Sequence, residues 1–465
     1  MIQTMKKSVY AVFDIGKTNK KLILFDEDQQ IIDEELHICT DVLDDDGYPC
    51  DHLPRLTEWV QTHWKQLRNH PHYTVKGVNF TAYGASWVHL GADGQPLLPL
   101  YNYLKPMPAD LEAQFYAGLS QSPEEFAADT CSPRLGLLNS GLQLYWLKYA
   151  KPEKYAQIHT SLHLPNYLSY LISGEKFSDF TSIGCHTALW DFKRNDYHEW
   201  VYREGIDEKL APLTRDSIAS VVDGIMVGVG LHDSTSAVMP YLAENDEPFV
   251  LVSTGTWSVT INPFNSNSLT PELLRRDCLS FMTPRGEATR AARVFLGREH
   301  DFQVERIAAH FHVKPDFYRS IVLARPYDEA SAGFRPACMA GTGPFPDQPA
   351  GEWDLSGFRT ASDAYQHLMH GLINILLESI HLVWQGEKTI FVDGGFARNP
   401  LFMQTLSWNF PKAEIRTLEV PQATALGALV HLEQGEALKK THPLFTDEED
   451  MPTATRGEAV PVSKH

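Results

Sequence analysis

Four short segments carry residue types suited to handling phosphate and moving a proton. The first is Asp14-Ile15-Gly16-Lys17-Thr18-Asn19-Lys20-Lys21. A tight turn built on Gly16 and Thr18 points several backbone N–H groups one way, and such a nest binds phosphate oxygens. The Thr18 hydroxyl and a lysine add donors, and Asp14 can hold a hydrated Mg²⁺ beside the phosphates. The second segment, Ser253-Thr254-Gly255-Thr256-Trp257-Ser258, repeats that logic: glycine admits a close phosphate and the hydroxyls donate to it. The third is Val392-Asp393-Gly394-Gly395-Phe396-Ala397-Arg398-Asn399-Pro400, where paired glycines let a flat base lie against the backbone. The fourth is Gly230-Leu231-His232-Asp233-Ser234-Thr235-Ser236-Ala237. There a carboxylate at a strand end can take the proton of an alcohol that attacks a γ-phosphate. Each segment has a plainer reading alone: hairpin turns for the first two, a strand-to-helix turn for the third, a helix N-cap at Asp233 for the fourth. Two glycine turns in related positions raise the odds, because a triphosphate gripped from both sides needs two.

These segments need elements to aim them. VYAVF (9–13) and LILFD (22–26) flank the first turn, which predicts a β-hairpin. PFVLVSTGTWSVTI (248–261) predicts a second hairpin of the same design. The 3.6-residue spacing of Leu53, Leu56, Trp59, Val60 and Trp64 predicts a helix over 53–68. Val75–Thr81 reads as a strand, and Val221–Val229 as one strand running into the Asp233 segment. Residues 363–384 form a long amphipathic helix. Thr389–Val392 is a short strand, 400–409 a helix, and 422–433 a helix with small residues for close packing. Residues 91–108 are a long loop, and the tail after about 436 is peripheral. The repeated hairpin predicts two related α/β domains, 1–245 and 246–465, facing each other across a cleft.

The chain has 465 residues and a formal charge of −19, which argues against a nucleic-acid or anionic-lipid binder. No apolar window reaches membrane-span length, and the start of the chain lacks the features of a signal peptide. Six scattered cysteines form no C-x-x-C pair, so they read as reduced thiols in a cytoplasmic protein. The 20 histidines form no convincing H-x-x-x-H pair, so no structural metal is expected.

In this order the four segments resemble the FGGY carbohydrate kinase family of the actin-like ATPase superfamily, over residues 9 to about 433. Asp14–Asn19 is similar to its DIGTTN turn, Asp233–Ala237 to its D-x-x-x-A segment, Gly255-Thr256 to its phosphate turn, and Gly394–Asn399 to its GG-x-x-x-N adenosine turn. The stretch 141–191, with TSIGCHTALWDF, also looks familial. The resemblance implies two actin-like (ribonuclease H-like) domains flanking a catalytic cleft, with ATP and Mg²⁺ as cofactors and a small sugar as substrate. It implies Asp233 as catalytic base and Asp14 as a Mg²⁺ organiser acting through water. Gly16, Thr18, Asn19, Lys21, Gly255, Thr256, Gly394, Gly395 and Asn399 would bind ATP. Lys21 stands where the family often has a base. Lys17 replaces the usual Thr or Ser; a lysine there could bind the γ-phosphate or point to solvent, and the solvent-facing pose is expected, as for most charges on hairpin turns.

His232-Asp233-Ser234 and the STGTWS turn look most like the rhamnulokinase and fuculokinase branch, whose W-G-V-D pattern becomes Tyr83-Gly84-Ala85-Ser86 here. Gly84, Ser86, Trp87, His232 and Ser234 are therefore expected at the substrate, a ketose of the L-rhamnulose or L-fuculose type, with a polyol or xylulose as alternatives. His89, Tyr101 and Asn102 are lesser candidates for the sugar floor. The cluster Arg293, Arg298, Glu299, His300 and Asp301 could supply a sugar or phosphate contact, and a solvated helix start is the expectation. A non-catalytic ATP-binding sensor on the same scaffold is the reading from another class. Oligomeric state is not legible; a homodimer is the default.

Overall fold

The run Val9–Phe13 is apolar at every position, the pattern of a strand covered on both faces, and all five residues are buried. In the computed structural model, which describes residues 6–321, 334–417 and 420–441 with side chains to residue 435, it forms the centre of β1 (Lys7–Ile15). β1 turns back into β2 (Lys20–Phe25), and β2 into β3 (Ile31–His37). β4 (Tyr73–Ala82) returns parallel to β1. Beyond β4 come the hairpin of β5 (Ile218–Val222) and β6 (Ile225–Gly228), and the two-residue β7 (Leu231–His232). Both β6 and β7 run parallel to β4, and the order across the sheet is β5-β6-β4-β1-β2-β3.

The second sheet holds β8 (Phe249–Thr254), β9 (Ser258–Asn262), β10 (Cys278–Met282), β11 (Ala288–Val294), β12 (Thr389–Gly394) and β13 (Glu414–Thr417). Its order is β10-β11-β9-β8-β12-β13. β9 and β11 continue antiparallel from β8, with β10 at the edge beyond β11, while β12 and β13 lie parallel on its other side. That is the plan of β1, β2 and β3 with β4 and β6. The repeated hairpin in the sequence thus extends to a repeated sheet, giving two mixed α/β units of the ribonuclease H-like kind.

Helices cover these sheets. Leu53–Arg68 lies on the first, with Trp59 edge-on to Phe13 at 5.4 Å. Leu296–Phe311 and Ala361–His381 pack on one face of the second around Val250, Val252 and Val392. Helix Ala423–Thr441 crosses back to the first sheet. Its Ala425, Ala428, Leu429 and Leu432 cover Tyr10, Val12, Ile23 and Phe25, and Asn79 Nδ2 donates to Ala428 O at 2.7 Å. This helix runs on past residue 433, where the small-residue pattern had ended it.

One strand expectation is corrected. Val221–Val229 is a hairpin rather than a single strand, because Asp223 and Gly224 both take positive φ (51° and 81°), the geometry of a tight two-residue reversal. All six cysteines are free, and among the described residues no helix is long and apolar enough to cross a membrane.

Candidate active site

Parallel strands deliver their carboxyl ends to one edge of a sheet, where ligands bind in open α/β folds. Asp14 sits beside Thr81 near the end of β1, and His232 beside Ala82 at the end of β7. Asp14 and Asp233 therefore leave the first sheet at the same edge, on either side of β4. A cleft of about 620 Å³ opens there. His232, Asp233, Ser234 and Gly84 line it from the first sheet, and Ser253, Trp257 and Asp393 from the second. Asp233 opens the single helical turn Asp233–Ser236 without serving as its N-cap: that position is His232, and no side chain caps the turn. The Asp233 carboxylate faces the cleft and accepts from Ser234 N at 2.6 Å.

Asp14 accepts a hydrogen bond from Thr424 Oγ1 at 2.7 Å. Burial pushes its pKa up to about 6, with Thr424 opposing the rise and Asp233 adding to it. Among the described residues no cationic side chain forms an ion pair with Asp14. A largely buried carboxylate facing a second carboxylate with no paired cation fits a divalent ion. Lys21, opposite Asp14 in the hairpin, is engaged by Glu34 at 2.9 Å and Gln422 at 3.1 Å.

Thr18 and Asn19 are exposed at the tip of the first turn, and with Gly16 they adjoin Asp14 outside the cleft lining. Lys17 departs from its expected solvent-facing pose. It is ion-paired with the buried Asp51, because the fold brings a carboxylate 34 residues away to the turn.

The second turn reaches both spaces: Ser253 and Trp257 line the cleft, and Thr254, Gly255 and Thr256 line a separate cavity of about 570 Å³ with Gly395, Asn399, His300 and Tyr318 among others. Of the expected phosphate and adenosine residues of the second half, Gly255, Thr256, Gly395 and Asn399 meet here and Gly394 does not line the cavity. Gly394 and Gly395 have different tasks. Gly394 holds φ +83°, and a Cβ there would sit 1.9 Å from Thr254 O, so it lets β12 close against β8. A Cβ on Gly395 would meet nothing within 4 Å. Asn399 caps helix Pro400–Asn409 through Leu401 N at 3.1 Å and donates to Tyr365 OH at 2.8 Å. The turn itself rests on the start of helix Leu296–Phe311, where a Cβ on Gly297 would sit 2.0 Å from Gly255 O.

The 293–301 cluster is only in part a solvated helix start: Arg298 and Asp301 are exposed in the first turns of helix Leu296–Phe311, and the other three are not. Glu299 is buried and accepts from Ala337 N (3.0 Å) and Cys338 N (2.6 Å), fastening a distant loop. His300 is buried against Tyr365 OH at 3.0 Å. Arg293, on β11, pairs with Asp277 at 3.1 Å and lines the cleft over the Trp257 ring.

On the acceptor side, Gly84 admits the His232 ring: a Cβ there would lie 2.6 Å from Nε2. That nitrogen is 3.5 Å from Asp233 Oδ1. Burial works to depress the His232 pKa, but Cys185 and Asp233 reverse this and push it up to about 9. Ser86 and Trp87 do not line the cleft. Trp87 is 1% exposed, stacks on His163 and donates to Ser140 O at 2.8 Å; Ser86 is buried beside it. His89, Tyr101 and Asn102 are also buried away from the cleft. Its wall is built instead from Tyr83, Tyr103, Cys185, His186 and Phe281. Ala85 and His186 both carry positive φ (58° and 52°), a strained backbone of the kind that gathers at functional sites. Cys185 and His186 lie within the family-like TSIGCHTALWDF stretch, which was the available signal; Tyr103 and Phe281 had none.

Comparison with known proteins agrees with this geometry. The N-terminal domain of the FGGY family of carbohydrate kinases matches residues 9–237, and the carbohydrate kinase FGGY C-terminal domain matches 246–440. A rhamnulokinase of Oceanobacillus iheyensis is 21% identical over 262 residues, 53% of this chain and 54% of that protein. One from Halalkalibacterium halodurans is 22% identical over 265 residues, with the same shares. The chain spans about half the length of these curated relatives. Among solved structures, a carbohydrate kinase from Novosphingobium aromaticivorans superposes with a TM-score of 0.78 at 24% identity, over 91% of this chain and 93% of that one. A xylulose kinase from Lactobacillus acidophilus gives 0.73 at 15% identity, over 93% and 90%. A glycerol kinase from Plasmodium falciparum gives 0.72 at 17%, also over 93% and 90%. These three likenesses concern the fold. Since the two domain models follow one another along residues 9–440 and each contains one of the repeated sheets, the chain belongs to the FGGY family of carbohydrate kinases.

Proposed function

We propose that this protein transfers the γ-phosphate of ATP to a hydroxyl of a small sugar, with Asp233 as the proton acceptor. The observation that carries the reading is the position of Asp233: in the cleft, at the carboxyl edge of the first sheet, across from Ser253 and Asp393 of the second. The cavity at Gly255, Thr256, Gly395 and Asn399 would take the nucleotide, and the Gly16–Asn19 turn its phosphates from the other side. Asp14, with Asp233 nearby, would hold Mg²⁺, which when bound neutralises charge on the phosphates. The sugar would lie against Tyr83 and Tyr103 with its reacting hydroxyl toward Asp233. The carboxylate accepts the hydroxyl proton as the oxygen attacks phosphorus, and the cleft walls keep water out. A division into two working halves near residue 245 belongs to the same reading.

For the acceptor we favour a ketose of the L-rhamnulose or L-fuculose type. Support comes from the His232-Asp233-Ser234 pattern and from the similarity to two rhamnulokinases. The aromatic wall suits a sugar with an apolar end. The test is ADP release with Mg²⁺ and ATP across a panel of ketoses, aldoses and polyols. A ketose should raise the rate well above the sugar-free value. A polyol as best acceptor would move the substrate class, and no stimulation by any acceptor would favour the sensor reading.

A further inference from the structure

Asp51 has no place in the phosphoryl-transfer chemistry above, yet it joins the two sides of the site. It is 4% exposed and takes three donors. Lys20 Nζ donates to Oδ1 at 2.9 Å, Tyr83 OH donates to Oδ2 at 2.8 Å, and Lys17 Nζ also donates to Oδ2. Lys20 is 2% exposed and donates as well to Lys17 O at 2.8 Å, which pins the backbone of the phosphate turn. Lys17 Nζ lies 5.4 Å from the Tyr83 ring centre and 6.0 Å from that of Tyr103. Those two rings form the acceptor wall of the cleft.

Two ammonium groups on one carboxylate leave a surplus positive charge. The members are not equally committed. Lys20 is enclosed, whereas the Lys17 side chain is 28% exposed. If Lys17 left, Asp51 would keep Lys20 and Tyr83, so no buried charge would lose its last partner. Lys17 also belongs to the turn proposed to face the phosphates, and its other hold, on the tyrosine faces, is a contact that an acceptor would contest.

We propose that Lys17 is a switch cation that couples the two substrates: an acceptor packing on Tyr83 and Tyr103 releases it from Asp51 toward the nucleotide phosphates, so that acceptor binding tightens nucleotide binding. Lys17 is then a positioning and binding residue, and Asp51 is its dock. The coupling must be reciprocal, because linkage between two binding equilibria is symmetric. The proposal rests on the kinase reading of the cleft.

The experiment measures affinity for Mg·AMP-PNP with and without the best acceptor from the ADP-release panel. The wild type should bind the nucleotide at least about fivefold more tightly with acceptor present. Lys17→Met keeps the stem over the rings and removes the charge; it should fold as the wild type does, bind the acceptor, and lose the tightening. Tyr83→Phe keeps the ring but cuts the link to Asp51, and should reduce the tightening in the same way. Wild-type tightening in a folded Lys17→Met protein would overturn the proposal. So would absence of tightening in the wild type while acceptor-stimulated ADP release persists, an outcome that leaves the kinase reading intact. Absence of any stimulated release would instead remove the kinase reading itself.

Discussion

The two sheets share a strand plan but not a cover, and the difference locates the site. On the first sheet, Tyr10, Val12, Ile23 and Phe25 are sealed by helix Ala423–Thr441. Aligning the turns at Gly16 and Gly255 places Leu251 where Val12 stands, and its cross-strand partner Ile261 answers Ile23, the partner of Val12. Leu251 and Ile261 are buried with Val238 and Tyr241, beside the six-residue helix Met239–Glu244, and both also border the cleft with Val259 and Phe281. The same apolar face is sealed by a long helix in one half and borders the cleft in the other. The turns differ too. The first is charged and anchored through Asp51, whereas the second has no charged residue and rests on a helix start at Gly297. A duplicated fold thus places rigidity and ligand access on opposite walls.

The largest expected effect breaks the second wall at its seam. Gly394→Ala places a side chain at φ +83° and against Thr254 O, and should cost roughly 3 kcal/mol or more, read as a fall in denaturation midpoint with loss of nucleotide binding. Gly395→Ala, one residue on, meets open space. It should leave stability within about 0.5 kcal/mol of wild type and raise the KM for ATP. Equal destabilisation by both would contradict the separate tasks assigned to them.

Asp14 supplies the test on the first wall. Its folded pKa of about 6 lies above the ordinary value of 3.8, so its share of stability is full below 3.8 and is lost as pH rises through 6. The loss is at most roughly 3 kcal/mol at 1.36 kcal/mol per pKa unit. Asp14→Asn should therefore stabilise the ligand-free protein at pH 8, flatten its stability between pH 4 and 7, and abolish Mg²⁺-dependent turnover. Thermal unfolding against pH, with and without Mg²⁺, is the measurement; a destabilised Asn variant at pH 8 would count against it. On the first wall the smallest effect on stability belongs to Gly16→Ala. Its Cβ would lie 3.0 Å from Asn19 O, at a backbone angle open to other residues, so the turn need yield only slightly, at a cost below about 1 kcal/mol.

Local patterns made the framework legible. The helix over Leu53–Arg68 and both hairpins follow from periodicity and turn chemistry. The place of Asp233 at the cleft was readable because it depends on a strand end and a short polar turn, both local. β3 was not, since Ile31–His37 is a mostly exposed, acidic strand without apolar alternation. The Asp223-Gly224 reversal was masked by the continuous apolar character of its flanks. Trp87 misled because aromatic residues near a glycine motif suit a sugar platform and a core alike, and pairing of Trp87–Leu90 with Thr160–His163 decides for the core. Asp51 carried no signal at all: its three partners come from positions 17, 20 and 83, a meeting made only by the fold.

The most direct measurement is a paired assay of Asp233→Asn: nucleotide binding by titration with Mg·AMP-PNP, and turnover with the best acceptor. A carboxylate that takes the acceptor proton predicts nucleotide affinity near wild type and turnover lower by roughly two to four orders of magnitude. Turnover at the wild-type rate would show that this carboxylate is not the proton acceptor, and the placing of proton transfer at Asp233 would fail.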